Sequence, residues 1–435
     1  HPHCRRQALP PNMIQQLTHH NPRLLTRCRR HHLHQIQHSS HQLGLFQSTP
    51  VRRLLNLQHV RFSTVISSSQ KTARTQQLLN HSRSATLARQ QQRTHPINVL
   101  SVHCSPPLQQ LLQRLRTGLD HLQPHRIAEV PLRDLVRDYV VESLAGRDAV
   151  LVLDETGFLK QGKASCGVAR QYTGSAGKIT NCQIGVFAAY VSRHGHALID
   201  RALYLPKAWA SDPARLAATH VPSGTVFATK PALAVQMIDR AIAAQLPFAW
   251  VAADSVYGVG DVEQALRRAG KGYILGVGSN HHFGSWHGKP AIAGRADEIA
   301  QSFDPSAWQR LSAGDGTKGA RLHDWIYCEL ADLDASEYDG GKSGLWTRGL
   351  LVRRNIGDGD LAFFATWCPA GTEIHTLVLV EGHRWAIEDS FETAKTELGL
   401  AHNETRSWHG WHRHVSLVML AFAMIAVVRH HANRM

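Results

Sequence analysis

From about residue 128 onward, the chain alternates between short apolar runs and amphipathic segments. The runs "DAVLVLDETGF", "KITNCQIGVFAAYVS" and "FAWVAADSVYG" are rich in β-branched and other apolar residues and lack a helical period, which predicts buried strands. The segments "VPLRDLVRDYVVESL" and "PALAVQMIDRAIAAQ" repeat apolar residues at helical spacing. This order of strands and helices predicts an α/β fold, with a mixed sheet flanked by helices.

The pattern changes between residues 279 and 371. Gly, His and Trp become frequent there, and "LHDWIYCEL", "RGLLVRRN" and "DLAFFATW" predict further strands. We interpret residues 279–371 as a mostly β insertion. It divides the fold into a first part, residues 128–278, and a helical C-terminal part, residues 372–435.

One apolar run near the C-terminus raises the question of a membrane span. The run "VSLVMLAFAMIAVV", residues 415–428, has 14 residues. A span requires about 20 apolar residues, so the run predicts a buried terminal helix and no contact with a membrane.

The positive charge of the chain is concentrated in its first quarter. Residues 1–119 contain no Asp or Glu but 15 Arg and 1 Lys, whereas the whole chain has a net charge of +15. Three interpretations remain open for residues 1–127: a basic, disordered arm that binds nucleic acid, a small helical domain around "LQQLLQRLRTGL", or an out-of-frame translation. We expect this segment to be irregular or disordered.

The seven cysteines are scattered, and no C-x-x-C pair occurs among them. This spacing argues against a disulfide scaffold or a zinc ribbon and favours a reducing compartment. Because we also recognise no signal peptide, the sequence predicts a cytoplasmic protein.

Three acids occupy positions that suggest chemistry. Asp154 and Asp254 each follow an apolar strand, and the carboxyl ends of strands form the ligand crevice of open α/β sheets. Glu388 lies in "HRWAIEDSFETAKTELGL", a predicted helix on which Arg384 and Lys395 flank it at the border of the apolar stripe. Taken singly, the aspartates could be turn or N-cap residues, and Arg384–Glu388 could be a solvated i,i+4 pair.

Together, the three carboxylates suit a hard divalent cation, Mg²⁺ or Mn²⁺. Two such ions about 3.5–4 Å apart can activate a water or a 3′-hydroxyl and stabilise a leaving oxygen in phosphoryl transfer. Arg384 and Lys395 would then bind phosphates of a DNA backbone.

Further residues are weaker candidates for DNA contacts. A basic hairpin is predicted in "LKQGKASCGVARQYTGSAGK", and a basic–aromatic cluster in "RSWHGWHRH" suits phosphate contact and base stacking. A plain solvated hairpin is the alternative for the first segment, and helix packing with a basic rim is the alternative for the second. Packing is the alternative for Tyr257. The candidates are Lys160, Lys163, Arg170, Lys178, Tyr257, Arg406, Trp408 and Arg413.

The chain from about residue 128 resembles bacterial insertion-sequence transposases of the DDE superfamily. The resemblance is carried by "VLVLDETGFLKQGKASCGVARQYTGSAGKITNCQIGVF", by "WVAADSVYG" and by the helix that contains Glu388. In one group of these enzymes, the last acid lies in a tyrosine–arginine–glutamate–lysine pattern. Arg384, Glu388 and Lys395 fit its spacing, while Glu381 replaces the tyrosine.

The resemblance implies an RNase H-like core with a β-rich insertion and a metal-binding catalytic triad of Asp154, Asp254 and Glu388. It also implies two Mg²⁺ or Mn²⁺ ions, DNA as substrate, a homodimer in a synaptic complex and a nucleoid-associated protein in the bacterial cytoplasm. An inactive DNA-binding remnant of such an enzyme is the main alternative. A phosphatase is less favoured, because that chemistry expects a second aspartate where this chain has Thr156.

Overall fold

The computed structural model describes residues 129–283, 293–316, 319–330 and 346–434, together with residue 113. All of them belong to the unit Ser101–Met435. The basic segment 1–127 lies outside the described residues except for Gln113, so its three interpretations stay open.

Strands and helices follow each other largely in the predicted order. The strands are β1 (Val150–Leu159), β2 (Ala169–Thr173), β3 (Lys178–Ser192), β4 (Gly195–Tyr204), β5 (Trp250–Ala253), β6 (Gly272–Val277), β7 (His282–Phe283), β8 (Gly294–Arg295), β9 (Gln309–Gly316), β10 (Gly319–Glu329), β11 (Trp346–Arg354) and β12 (Leu361–Pro369). The helices are α1 (Glu129–Leu144), α2 (Lys207–Ala210), α3 (Pro213–Ala218), α4 (Lys230–Ala243), α5 (Gly260–Arg268), α6 (Ala296–Gln301), α7 (Ile374–Gly382), α8 (Trp385–Thr396) and α9 (Trp408–Ala432).

One mixed sheet of ten strands organises the described residues. Its order is β2-β3-β1-β5-β6-β12-β11-β10-β9, and β4 pairs with β3 beside β2. β3 runs antiparallel to β1 and β4, whereas β1, β5 and β6 are mutually parallel. Parallel neighbours need crossover connections, which α4 and α5 provide. The predicted fold class, a mixed sheet flanked by helices, is confirmed.

The strands of the predicted insertion continue the central sheet. β12 pairs antiparallel with β6, from Phe363 opposite Val277 to Trp367 opposite Tyr273. β11, β10 and β9 then extend the sheet by antiparallel pairing. The β-rich segment is thus hydrogen-bonded to β6, which in turn pairs with β5, the strand that precedes Asp254.

The C-terminal helix α9 packs against the core through much of its length. It starts at Trp408, seven residues before the apolar run, and has 25 residues. It is the one helix among the described residues that is long and apolar enough to cross a membrane, but 56% of its most apolar window is buried inside the protein. Trp411 and Val415 are fully buried, as a core helix requires.

The helix that carries Glu388 is shorter than its sequence pattern suggests. The pattern extends to Leu400, but α8 ends at Thr396. Gly399 follows with a φ of 72°, a left-handed conformation that glycine adopts without steric cost. The chain turns there toward α9.

Candidate active site

Asp154 and Asp254 directly follow the last paired position of two neighbouring parallel strands. β1 and β5 are paired up to Leu153 opposite Ala253. Asp254 follows the end of β5, whereas Asp154 lies in the middle of β1, which continues along β3 to Leu159, so the prediction that this strand ends at Asp154 was wrong. Neighbouring strands are about 4.8 Å apart, so the two carboxylates leave the sheet close to each other. The structure therefore brings these two predicted acids together.

The environment of the pair favours protonation. Burial, followed by the negative charge of Asp254, raises the pKa of Asp154 to about 7. Burial also raises the pKa of Asp254, with the charge of Glu155 adding to the effect. Each carboxylate accepts one backbone hydrogen bond, from Glu155 N at 2.7 Å and from Val256 N at 2.9 Å respectively, and these bonds oppose the shift only in part.

Glu155 is a charged neighbour of the pair that sequence reasoning missed. Its carboxylate accepts a hydrogen bond of 2.6 Å from the Tyr257 hydroxyl and pairs with Lys230 Nζ at 2.5 Å. It therefore connects β1, the turn after Asp254 and the first residue of α4. The signal lay in "LDETG", where Glu155 directly follows Asp154, but its partners are distant in sequence.

Glu388 is not grouped with the aspartate pair. It lies in the first turn of α8, its side chain is 50% exposed, and its carboxylate is 3.5 Å from Arg384. The positive charge of Arg384 lowers the pKa of both Asp154 and Asp254, which places the guanidinium within electrostatic range of all three acids. Among the described residues, no three acids, histidines or cysteines are close enough to hold one metal ion. The role of Glu388 as third ligand stays a prediction.

Glu381, at the tyrosine position of the family pattern, anchors the segment before Arg384. Its side chain is 4% exposed, and its carboxylate pairs with Arg353 of β11 at 3.2 Å. Arg321 of β10 donates to the carbonyl of Gly382 at 2.8 Å. Two arginines of the continued sheet thus hold the junction between α7 and α8.

Lys395 is bonded within the protein. Its ammonium donates to Thr156 Oγ1 at 2.7 Å, to Gly157 O at 3.2 Å and to Ser175 Oγ at 2.8 Å. Three acceptors match the three donors of an ammonium group, so none remains for a phosphate in this conformation. Burial lowers the pKa of Lys395. The contacts attach α8 to β1 and to the turn of the β2–β3 hairpin.

The other predicted DNA contacts fall into two groups: residues that contact the protein itself, and residues that are exposed. Lys160 donates to the carbonyl of Asn403, and the Trp408 ring packs 4.3 Å from the His412 ring. Tyr257 is fully buried and bonded to Glu155, so packing is its role in this structure and base stacking is excluded. The remaining candidates are exposed: Lys163, Arg170, Lys178, Arg406 and Arg413.

A histidine that the sequence did not single out holds the helix of Glu388 in place. His196 of β4 has Nδ1 2.9 Å from Ser390 Oγ and Nε2 3.3 Å from Asp389 Oδ2. The Ser390 hydroxyl in turn donates to Ala386 O at 2.7 Å. Both contacted residues directly follow Glu388, so His196 fixes this turn of α8 against the sheet.

The aspartate pair fits a divalent cation. Burial raises the pKa of both carboxylates and the charge of Asp254 adds to the shift of Asp154, so a hard cation at the pair would supply the compensating positive charge. Oxygen ligands of this kind are those that Mg²⁺ and Mn²⁺ prefer. Asp154 and Asp254 are therefore the residues that would hold the ion.

Comparisons with known proteins concern the family to which this chain is similar. Residues 108–320, which include both aspartates, match the family model "DDE superfamily endonuclease". A probable transposase for the insertion sequence element IS701 of Microchaete diplosiphon is 30% identical over 176 residues, which make up 38% of this chain and 43% of that relative. The match thus spans less than half of the relative's length. The two matches confirm the family resemblance inferred from the sequence: residues 108–320 are similar to DDE superfamily endonucleases, and part of the chain is similar to an insertion-sequence transposase.

Proposed function

We propose that this protein is a DNA transposase, which breaks and rejoins DNA strands by metal-dependent phosphoryl transfer. The observation that carries the proposal is the adjacency of Asp154 and Asp254, each directly after the last paired position of the parallel strands β1 and β5. Two ions at these carboxylates, Mg²⁺ or Mn²⁺, would activate the attacking oxygen and stabilise the leaving oxygen.

The residues around the pair have separate tasks in this proposal. Asp154 and Asp254 hold the cation, and Glu388 is the third acid. Arg384 lies within range of all three acids and carries the charge that a DNA phosphate at the site needs. Glu155 bonds to Lys230 and Tyr257, and so positions β1 and the turn after β5, the two segments that carry the aspartates.

Exposed cations extend the surface available to DNA. We infer that five of them contact the phosphate backbone: Lys163, Arg170, Lys178, Arg406 and Arg413. The family resemblance further supports a homodimer that holds two element ends in a synaptic complex, and a place in the cytoplasm beside the nucleoid.

The proposal is tested with DNA that carries the terminal sequences of the element encoding this chain. With Mg²⁺ or Mn²⁺, the wild-type protein should cut at the element ends and join the 3′-ends to a target plasmid. Asp154→Asn and Asp254→Asn should abolish both steps while still binding the DNA, because they remove metal ligands and not phosphate contacts.

Two results would overturn parts of this assignment. Equal cleavage by wild type and both aspartate variants would exclude the pair as the catalytic centre. DNA binding without cleavage by the wild-type protein, under conditions in which it binds Mn²⁺, would instead identify the chain as an inactive remnant.

A further inference from the structure

The β2–β3 hairpin exposes apolar side chains beside the aspartate pair. Tyr172 is 62% exposed and Ile179 is 59% exposed. The two residues are directly opposite each other in the antiparallel ladder, so their side chains form one cross-strand pair. An exposed aromatic ring paired with an aliphatic side chain offers a flat apolar surface, which we call the hairpin platform.

The end of the hairpin is held against the strand that carries Asp154. Ser175 Oγ lies 3.3 Å from Thr156 Oγ1, and Lys395 bonds to both hydroxyls. A Cβ atom added to Gly157 would lie 2.0 Å from Thr173 Oγ1, so Thr173 packs directly on β1. Gly157 lies three residues after Asp154 on β1, roughly 10 Å along the strand. Tyr172 directly precedes Thr173, the residue that packs on Gly157, and this step adds about 4 Å.

The charge of this region identifies the partner class. Residues 156–199 contain no Asp or Glu, but they contain Lys160, Lys163, Arg170, Lys178 and Arg193. Arg170 is exposed two residues before Tyr172, on the same face of the hairpin, and Lys178 is exposed next to the hairpin turn, directly before Ile179. Exposed rings interleaved with cations are the combination that binds single-stranded nucleic acid, because phosphates contact the cations and bases stack on the ring.

We propose that the hairpin platform binds unpaired bases of the DNA strand that passes the aspartate pair. Tyr172 stacks on a base, Ile179 contacts its edge, and Arg170 and Lys178 bind the flanking phosphates. The choice of DNA as the partner rests on the proposed DNA-cutting function. The inference itself assigns base binding to Tyr172 and Ile179, which contact no reacting group.

The test compares binding of a fluorescein-labelled single strand and of its duplex by fluorescence anisotropy over a range of salt concentrations. Tyr172→Ala should weaken binding of the single strand by roughly 5- to 100-fold, the effect of losing one stacked base, and should weaken duplex binding less. Tyr172→Phe keeps the ring and should bind like wild type. Ile356→Ala, at a residue that is 46% exposed on the β11–β12 turn, is the matched control and should have no effect.

Salt dependence separates stacking from charge. Arg170→Gln and Lys178→Gln should each reduce the slope of log K against log salt by about one, whereas Tyr172→Ala should leave the slope unchanged. A strand with 2-aminopurine should lose fluorescence on binding to wild type but not to Tyr172→Ala, provided that the base stacks on the ring.

The outcomes distinguish this inference from the proposed function. If wild type and Tyr172→Ala bind the single strand equally, the platform is excluded while metal-dependent cleavage is unaffected. If Tyr172→Ala loses binding but wild type cuts no element end, the platform stands and the transposase assignment fails. If the wild-type protein binds no DNA, both are overturned.

Discussion

Asp154 is a residue whose ionisation opposes folding in the absence of metal. Its pKa is raised from the usual value of 3.8 to about 7, mainly by burial and then by Asp254. Below about pH 4 the carboxyl is protonated in both the folded and the unfolded state, so it has no net effect. The unfolded state loses this proton near pH 4 and the folded state only near pH 7, so the stability falls between about pH 4 and 7 and does not change further above that range.

Asp154→Asn, which mimics the protonated carboxyl, should therefore stabilise the metal-free protein at pH 8. We expect a gain in the free energy of unfolding on the order of 1–3 kcal/mol, and a gain near zero at pH 4. Urea unfolding in the presence of EDTA at several pH values measures it. The exposed Asp239 of α4 provides the control Asp239→Asn, and a gain at Asp154 that does not change with pH would contradict the assigned environment.

Other single residues show where sequence reasoning stops. The positions of Asp154, Asp254 and Glu388 were readable because each follows or borders an apolar pattern. The partners of Lys395 and Tyr257 were not readable, since Lys395 bonds to residues more than 200 positions away and Tyr257 to one 102 positions away. Side-chain contacts of this range depend on the tertiary fold and leave no local periodicity.

At the scale of elements, the junction between α7 and α8 depends on a close approach to β9. A Cβ atom on Gly382 would lie 2.1 Å from the carbonyl oxygen of Ala313, a backbone atom that cannot rotate away. Gly382→Ala should therefore displace α7 from the sheet, lower the melting temperature and cost roughly 1–3 kcal/mol, the range of overpacking in a core.

Gly357→Ala is the matched control for this substitution. Nothing lies within 4 Å of a Cβ atom built at Gly357, in the turn between β11 and β12. The two variants are compared by differential scanning calorimetry. A melting temperature of Gly382→Ala that equals that of Gly357→Ala would show that the junction is not in close contact with β9.

The helix α8 should also loosen when its contact with β4 is removed. His196→Ala deletes the bonds to Asp389 and Ser390, each worth about 0.5–1.5 kcal/mol for a neutral partner and more for a charged one. Hydrogen exchange of the α8 amides should accelerate, while the amides of α5 should keep their wild-type rates. His375→Ala, at an exposed position of α7, is the control. Unchanged exchange in α8 would exclude His196 as the residue that positions the turn of Glu388.

Element types were predictable where the apolar pattern was long, as in β1, β3, α4 and α9. The pairing of the strands was not predictable. β6 and β12 are separated by about 90 residues, and the sequence of neither strand indicates which strand it pairs with. This is why residues 279–371 read as an insertion, although four of their strands belong to the central sheet. Short elements such as β9 and α7 also escaped the pattern, since nine residues are too few for α7 to show a helical period.

At the scale of the whole molecule, one sheet connects the aspartate pair with the arginines that hold α8. β1 and β5 place Asp154 and Asp254, and β10 and β11 place Arg321 and Arg353 at the α7–α8 junction. The position of Glu388 relative to the pair is therefore set by both halves of the sheet. Arg384, paired with Glu388 at 3.5 Å, lies where these two supports meet.

The central claim is that Asp154 and Asp254 together hold a divalent cation, and direct binding of Mn²⁺ tests it without any DNA. Electron paramagnetic resonance of free Mn²⁺ should show binding to the wild-type protein at pH 8. Asp154→Asn and Asp254→Asn should each weaken binding by about tenfold or more. Removing a group that is hydrogen-bonded to a metal ligand already weakens metal binding by about tenfold or more, and removing the ligand itself should weaken it at least as much. Asp239→Asn should bind like wild type. If Asp154→Asn and Asp254→Asn both bind Mn²⁺ as tightly as the wild-type protein does, the pair is not a metal site.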